Sequence, residues 1–272
     1  MPLPEPLRFS VSRSHGGPHP LDGAMQFADV LSARLGSPVE LTVANSYDDL
    51  ADGLIAGNVH LAWMPPLAHA RATQKGAVLA VVAERGGALT YRSALLVRTD
   101  SVHTSTRGLR GVRAAWTDPS SASGYLYARL HLSAAGIDPR RDIASERFYG
   151  TPFAACSAVL NGDADLTACY VRDTAGSDPA LAIADVERIM PRATERLRVL
   201  DVTDRIPPDG VVLSSRIEAG ARIEITDVLL DLHNQDSGLA ALEALMQAER
   251  LSLVTDEVLR IIARLRAHVH VS

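Results

Sequence analysis

The sequence predicts a two-lobed α/β protein, each lobe a mixed, mostly parallel sheet flanked by helices, and three observations carry that reading. Strand-like and helix-like runs alternate from Leu7 to Ser215, the grammar of parallel strands joined by crossover helices. The alternation falls into two blocks, divided by a polar edge at Arg98-Thr99-Asp100-Ser101 and a proline-rich edge at Ile206-Pro207-Pro208-Asp209-Gly210. The 272 residues, 47% of them hydrophobic, supply material for two cores, and with only two cysteines those cores must hold the fold.

Each element has a local reason. Leu7 to Ser12 alternates as a strand and runs into a glycine/proline loop, Arg13 to Pro20. Met25 to Leu35 has apolar residues at helical spacing and stops at Gly36. Val39 to Val43 is a second strand. Asp48 to Ala56 is a helix with Ser46 as its cap and Gly57 beyond its end. Val59 to Met64 is a third strand, ended by Pro65-Pro66; Leu67 to Thr73 is helical, and Ala77 to Glu84 is a fourth strand. The second block reads as strands at Tyr91–Arg98, Val112–Thr117, Glu146–Tyr149, Asp165–Val171 and Leu197–Val202. Its helices run from Tyr125 toward Ala135, from Pro152 to Leu160 and from Ala180 to Ile189. Val211 to Ser215 is a last strand. From Ile223 the pattern is helical, in two or three pieces broken near Asp236-Ser237-Gly238 and Ser252. Lobe one is therefore expected over 1–98 plus 206–272, with lobe two, 99–205, inserted into it. Two chain crossings between lobes are the arrangement of a protein that closes on a ligand by a hinge.

Composition narrows the function. Mean hydropathy is +0.06 and no apolar run approaches the roughly 18 residues of a membrane helix, so the chain is not expected to be membrane-embedded. A net charge of −5 and the lack of a DNA-binding module argue against nucleic acid as a partner. Lys75 is the only lysine, and the arginines do not cluster. The N-terminus, Met-Pro-Leu-Pro-Glu-Pro, has neither a basic nor an apolar leader region, which predicts a cytoplasmic protein as written, or a periplasmic one from which a leader was removed. No G-x-S-x-G, phosphate-loop or H-E-x-x-H motif is present, and no cofactor or metal is expected.

The segment Thr117 to Tyr125 carries the strongest chemical signal. A strand ends, a proline turn follows, and small hydroxyl residues lead directly into a helix. The first N–H groups of a helix lack partners and its dipole favours negative charge there, so Ser121, Ala122 and Ser123 form a candidate oxyanion site. Serine is also a favoured N-cap, and plain capping explains the same residues.

Several stretches, in order, add a resemblance: Tyr47-Asp48-Asp49-Leu50 with Gly57-Asn58-Val59-His60-Leu61-Ala62; Tyr91-Arg92-Ser93; Asp118-Pro119-Ser120-Ser121-Ala122-Ser123-Gly124-Tyr125; Ala135-Gly136-Ile137-Asp138-Pro139; Ala158 to Asp165; and Ile206-Pro207-Pro208-Asp209. Together they span nearly the whole chain. The chain resembles the phosphate/phosphite/phosphonate substrate-binding proteins of ABC transporters, which have the type 2 periplasmic-binding-protein fold.

That resemblance implies ligand contacts from Tyr47, Tyr91, Ser121, Ser123 and Asp209. The two tyrosines would donate phenol hydroxyls; the serines and the N–H groups of Ala122 and Ser123 would hold anionic oxygens; Asp209 would accept from a protonated oxygen or an amine. Hydrogen bonds to charged groups contribute roughly 1.5–3 kcal/mol each, so four or five support micromolar or tighter binding. Two departures stand out. Ala122 replaces the family's usual threonine, and Gly150-Thr151-Pro152-Phe153 replaces a stretch that often carries a histidine donor. Trp63, at a strand end, is either core or a stacking surface for a ligand. A site poorer in donors and more apolar implies a smaller anion or an organic ligand with an apolar or ring portion.

Further candidates have plainer explanations. His15, with His19, lies in the loop after the first strand, where a ligand or water contact is favoured over a metal. Tyr149 and Tyr170 lie at or near strand ends, in the cleft or in the core. Cys156 and Cys169 read as buried, inert thiols. The expected protein is a monomeric, non-catalytic solute-binding protein that captures a small oxyanion-bearing ligand in an interlobe cleft, with an ABC permease or a signalling partner. The alternatives are a cytoplasmic enzyme on the same fold, as in some menaquinone- and thiamin-pathway enzymes, and a ligand sensor; both would act on a small organic acid.

Overall fold

The structure, a computed structural model, describes residues 3–12, 20–119, 121–175 and 178–269. The chain begins β1 (Leu7–Ser12), α1 (Pro20–Leu35), β2 (Val39–Ala44), α2 (Tyr47–Ala56), β3 (Leu61–Met64), α3 (Pro66–Gln74) and β4 (Val78–Glu84). It continues through β5 (Tyr91–Arg98), β6 (Arg113–Trp116), a π-helical turn (Ala122–Leu126), α4 (Tyr127–Ala134), β7 (Ser145–Phe148), α5 (Pro152–Asn161), β8 (Leu166–Arg172), α6 (Pro179–Val186), α7 (Ala193–Arg196) and β9 (Leu197–Val202). It ends with β10 (Gly210–Leu213), α8 (Ala219–Asp231), α9 (Asp236–Met246), β11 (Arg250–Ser252) and α10 (Asp256–Val269). The caps read from the sequence form as expected: Ser46 Oγ accepts from the Asp49 N–H at 3.0 Å, and Gly57 closes α2 at φ 80°.

Two units emerge. The first comprises Met1–Leu89 with Pro207–Ser272 and the second Thr90–Ile206. The first unit's sheet has the order β11-β4-β10-β3-β1-β2. Strands β2 and β3 run parallel to β1, whereas β10 lies antiparallel between β3 and β4, and β11 is antiparallel to β4. The second unit's sheet has the order β7-β6-β8-β5-β9. There β6 is parallel to β7 and β8, and β5 is antiparallel to β8 and β9.

Both sheets are thus mixed, as expected, and most strands of each run the same way: β10 and β11 oppose β1 to β4 in the first sheet, and β5 opposes β6 to β9 in the second. The reversed course of β10 has a long-range origin: it enters the first sheet only after the chain has traversed the second unit, and local alternation carries no trace of its direction. The same effect moves a boundary. The sequence reading places 91–98 in lobe one, whereas β5 is hydrogen-bonded between β8 and β9 in the second unit. The polar edge at Arg98 is the end of a strand, and the chain passes between units at 89–90 and again at 206–207. The three-residue β11, paired through Arg250↔Glu84, lies at the break in the helical pattern near Ser252.

Each sheet is covered on both faces. In β3 the pleat sends Leu61 and Trp63 to one side, with Phe9, Phe27, Leu31, Leu229 and Leu242; Ala62 and Met64 go to the other, with Leu50, Leu54 and Val212. In the second unit Leu96 and Cys169 face α5 and α6, while Leu95, Val97 and Trp116 face α4. Full burial of such side chains contributes about 1.5–3 kcal/mol each. None of the described helices is long and apolar enough to cross a membrane.

Candidate functional site

In the second unit the serine segment is shaped by its strand. The Thr117 N–H donates to the Gly124 carbonyl at 3.2 Å, so the chain loops back on itself between them. Ser121 is the cap: its Oγ accepts from the Gly124 N–H at 3.0 Å. Accepting that bond leaves the hydroxyl's own proton for a second partner, so capping and anion donation are compatible in one side chain. The first helical bond runs from the Leu126 N–H to the Ser121 carbonyl at 3.0 Å, five residues back, and the Tyr127 N–H bonds to the Ala122 carbonyl. This π turn widens the start of the helix, where the N–H groups of Ala122 and Ser123 precede any acceptor one turn back. Gly124 is dictated by space. A Cβ there would lie 2.3 Å from Thr117 Oγ1 and 2.8 Å from Ser121 Oγ.

Ser123 is fixed through a residue that sequence reasoning did not single out. The fully buried Ser93 donates its hydroxyl to the Ser123 carbonyl at 2.6 Å. Ser93 shares one face of β5 with Tyr91 and stands opposite Tyr170 of β8. The rings of Tyr91 and Tyr170 are 5.2 Å apart. Tyr91, Tyr170 and the serine turn are therefore brought together with Ser93 at the centre. The available signal was alternation: Ser93 is the one small polar residue on the face of β5 that also carries Tyr91, Leu95 and Val97.

Tyr91 is also where the chain enters the unit. Its backbone pairs with Ile206 in both directions, at 3.2 and 2.7 Å. Asp173, just beyond β8, accepts from Thr90 Oγ1 at 2.6 Å, Arg92 Nε at 2.6 Å and Arg205 Nε at 2.8 Å. Burial pushes its carboxyl up, but the Thr90 and Arg92 hydrogen bonds and the charges of both arginines outweigh it, so the pKa lies below the usual carboxylate value.

One further loop, between β7 and α5, is tied to the start of the serine turn. The Tyr149 N–H bonds to the Trp116 carbonyl at 2.9 Å and the Gly150 N–H to the Thr117 carbonyl at 2.8 Å. Thr151 then caps α5 by accepting from the Ala154 N–H, and Pro152 occupies the first turn without an N–H to offer. Tyr149 packs against the core on the α5 side. Tyr125 stands edge-on to Trp116 at 5.9 Å and to Phe148 at 5.0 Å, with the Arg129 guanidinium 5.2 Å above its ring.

In the first unit the expected residues are placed differently. Tyr47 opens α2, half-buried against the cluster that holds Leu50 and Leu54. Trp63, read as either core or a stacking surface, is fully buried in the core, because the strand pleat puts it beside Leu61 and opposite Val211. Asp209 is held by an arginine, since Arg85 Nη2 donates to its Oδ2 at 2.8 Å while Arg85 also binds the Met246 carbonyl at 2.7 and 3.0 Å. Buried His69 bonds through Nε2 to the Pro208 carbonyl at 3.0 Å and so fixes the preceding turn. Arg85 and His69 were not legible as site-shaping residues, because their partners lie far along the chain. His15 and His19 lie outside the described residues. Cys156 and Cys169 are free and buried, and the pKa of Cys169 is raised by its hydrogen bond with Cys156 and by burial. No cluster of metal-binding side chains occurs among the described residues.

Comparison with known proteins gives a consistent picture. Residues 22–259 match the family described as ABC transporter, phosphonate, periplasmic substrate-binding protein. A relative from Mycolicibacterium smegmatis, the phosphate-import protein PhnD, is 34% identical over 147 residues, which are 50% of this chain and 46% of the relative. The matched stretch therefore spans about half the length of that protein. Among solved structures, XAC2383 from Xanthomonas citri, bound to ATP, superposes with a TM-score of 0.81 at 22% identity, covering 97% of this chain and 96% of that one. PhnD1 from Prochlorococcus marinus, in complex with methylphosphonate, gives 0.74 at 19% identity, covering 97% and 99%. At these identities the likeness establishes the fold, that of type 2 periplasmic binding proteins.

Proposed function

Because the chain belongs to the phosphonate periplasmic substrate-binding proteins of ABC transporters, we propose that it captures a small oxyanion-bearing ligand and delivers it to a membrane permease without chemical turnover. The ligand class is phosphate, phosphite, a phosphonate or a similar anion. The observation that carries this reading is the turn from Thr117 to Gly124, in which Ser121 accepts a capping bond and so keeps its hydroxyl proton to offer an anion at the start of a helix. Ser123, fixed through Ser93, supplies a second hydroxyl, and Tyr91 and Tyr170 stand on the same side of the sheet. Charge-assisted hydrogen bonds of this number account for micromolar or tighter binding at roughly 1.5–3 kcal/mol each.

Tyr47 and Asp209 belong to the same proposal. Asp209, with Oδ2 engaged by Arg85, would offer Oδ1 to a protonated oxygen or an amine of the ligand. The relatives bracket the chemistry: one imports phosphate, one was solved with methylphosphonate and one with ATP. Capture is proposed to involve a hinge movement at the two chain crossings, in the periplasm, with the family's permease as partner.

Isothermal titration with phosphate, phosphite and methylphosphonate tests the reading. Saturable heat with at least one is expected, accompanied by a fall in the radius of gyration in small-angle scattering. Mass spectrometry after incubation is expected to recover the ligand unchanged. The absence of saturable heat with all three would sink the proposal, and conversion of a ligand would favour the enzyme alternative.

A further inference from the structure

The chain has four phenylalanines, and they divide sharply. Phe9 and Phe27 are fully buried, whereas Phe148 and Phe153 are 45% and 54% exposed. Both exposed rings belong to the segment that leaves the carboxyl end of β7, the end at which open α/β sheets bind their ligands. Phe148 is the last residue of β7 and pairs in register with Trp116, the last residue of β6.

Phe148 is held in a rigid frame. Its ring meets Tyr125 edge-on at 5.0 Å, and Tyr125 meets Trp116 edge-on at 5.9 Å. Arg129 covers the Tyr125 ring and is ion-paired with Glu146, whose carboxylate also accepts from Trp116 Nε1 at 2.6 Å. A fixed aromatic surface loses little freedom when a second ring lies on it. The frame is also continuous with the proposed anion site. Tyr125 lies four residues along the same helix from Ser121, and the Gly150 N–H, two residues past Phe148, bonds to the Thr117 carbonyl at the start of the serine turn.

We propose that Phe148, framed by Tyr125, is a specificity-determining residue that receives a planar ring carried by the anionic ligand. The preferred ligand class is then an aromatic or heteroaromatic phosphate or phosphonate rather than a bare oxyanion. This rests on the anion-capture reading above and sharpens it. The donor-poor character of the site agrees, since Ala122, within the serine turn, brings no hydroxyl and Pro152, after the neighbouring loop, no N–H.

The test is calorimetric titration of the full chain with methylphosphonate and phenylphosphonate, which share a head group and differ in the ring. Phenylphosphonate is expected to bind about tenfold or more tightly than methylphosphonate, the gain of one well-placed ring contact plus its buried area. In Phe148→Ala that advantage should fall to about threefold or less while methylphosphonate affinity stays within about twofold, and Phe148→Tyr should keep it. Melting temperatures of both variants identify any failure to fold, and the tyrosine variant retains the packing against Tyr125. Equal affinities in the native protein, or an advantage that survives in Phe148→Ala, would overturn the inference while leaving anion capture intact. If neither phosphonate nor inorganic phosphate binds, the anion-capture reading falls and this one with it.

Discussion

Ser121 is proposed to do two jobs with one oxygen. It accepts the Gly124 N–H and so starts the helix, and its proton remains for an anion. The sequence left these as alternatives, and the geometry makes them compatible in one side chain. Replacing Ser121 and Ser123 together by alanine should weaken phosphate or methylphosphonate binding by about tenfold or more, read by calorimetry, because two charge-assisted donors are lost. Unchanged affinity would reduce the serines to helix caps. The residues that escaped sequence reading share a property. Ser93, His69, Arg85 and Asp173 act on partners remote in the chain: the Ser123 carbonyl, the Pro208 carbonyl, Asp209, and Arg205 with Thr90. Motif and periodicity report neighbours in sequence, and these roles exist only once strands have paired. Trp63 shows the converse, since its position at a strand end left core and ligand surface both open and the pleat sends it into the core.

At the scale of elements, the strands and helices of the two blocks were legible because each carries its own periodicity and cap. What was hidden is what depends on other elements: the antiparallel course of β10, the membership of β5, and β11, whose three residues are too few to show a pattern. The π turn was hidden as well, because serine and glycine at a helix start announce a cap without specifying how far back its first bond reaches. Gly124 gives that turn a direct test. A methyl group there would collide with Thr117 and Ser121, so Gly124→Ala should destabilise the protein by about 1–3 kcal/mol, as other overpacked sites do. A depressed melting temperature together with weakened anion binding is the expected result; a variant as stable as the native protein would mean that the turn relaxes freely.

At the scale of the whole molecule, two sheets covered on both faces supply the cohesion that two free cysteines do not. Acid sensitivity should concentrate at a few buried carboxylates. Glu84, on β4, accepts from Arg250 at 2.7 and 2.9 Å and from Ser252 at 2.7 Å, tying β11 to the sheet. The Arg250 hydrogen bond, opposed by burial and reinforced by Ser252, holds its pKa below the ordinary value of 4.5. A depressed pKa contributes stability that is full above the unfolded-state value and is lost as pH falls through the folded one. The gap in melting temperature between the native protein and Glu84→Gln should therefore be widest near neutral pH and close below about pH 4.5. A gap that does not change with pH would show that Glu84 acts through packing alone.

The backbone pairing of Tyr91 with Ile206 has a consequence for how the chain can be cut. It sets the two ends of the second unit side by side, clasped from within by Asp173 through Thr90 and Arg205. On the other side of the cut, the Ala83 N–H bonds to the Asp209 carbonyl at 2.9 Å, so the severed ends of the first unit are also neighbours. Residues 90–206 are therefore a cassette, removable without leaving a gap that a short linker cannot span. Expressed alone, the cassette should unfold in a single cooperative transition, followed by circular dichroism. The remainder, closed by a few glycines, should do the same.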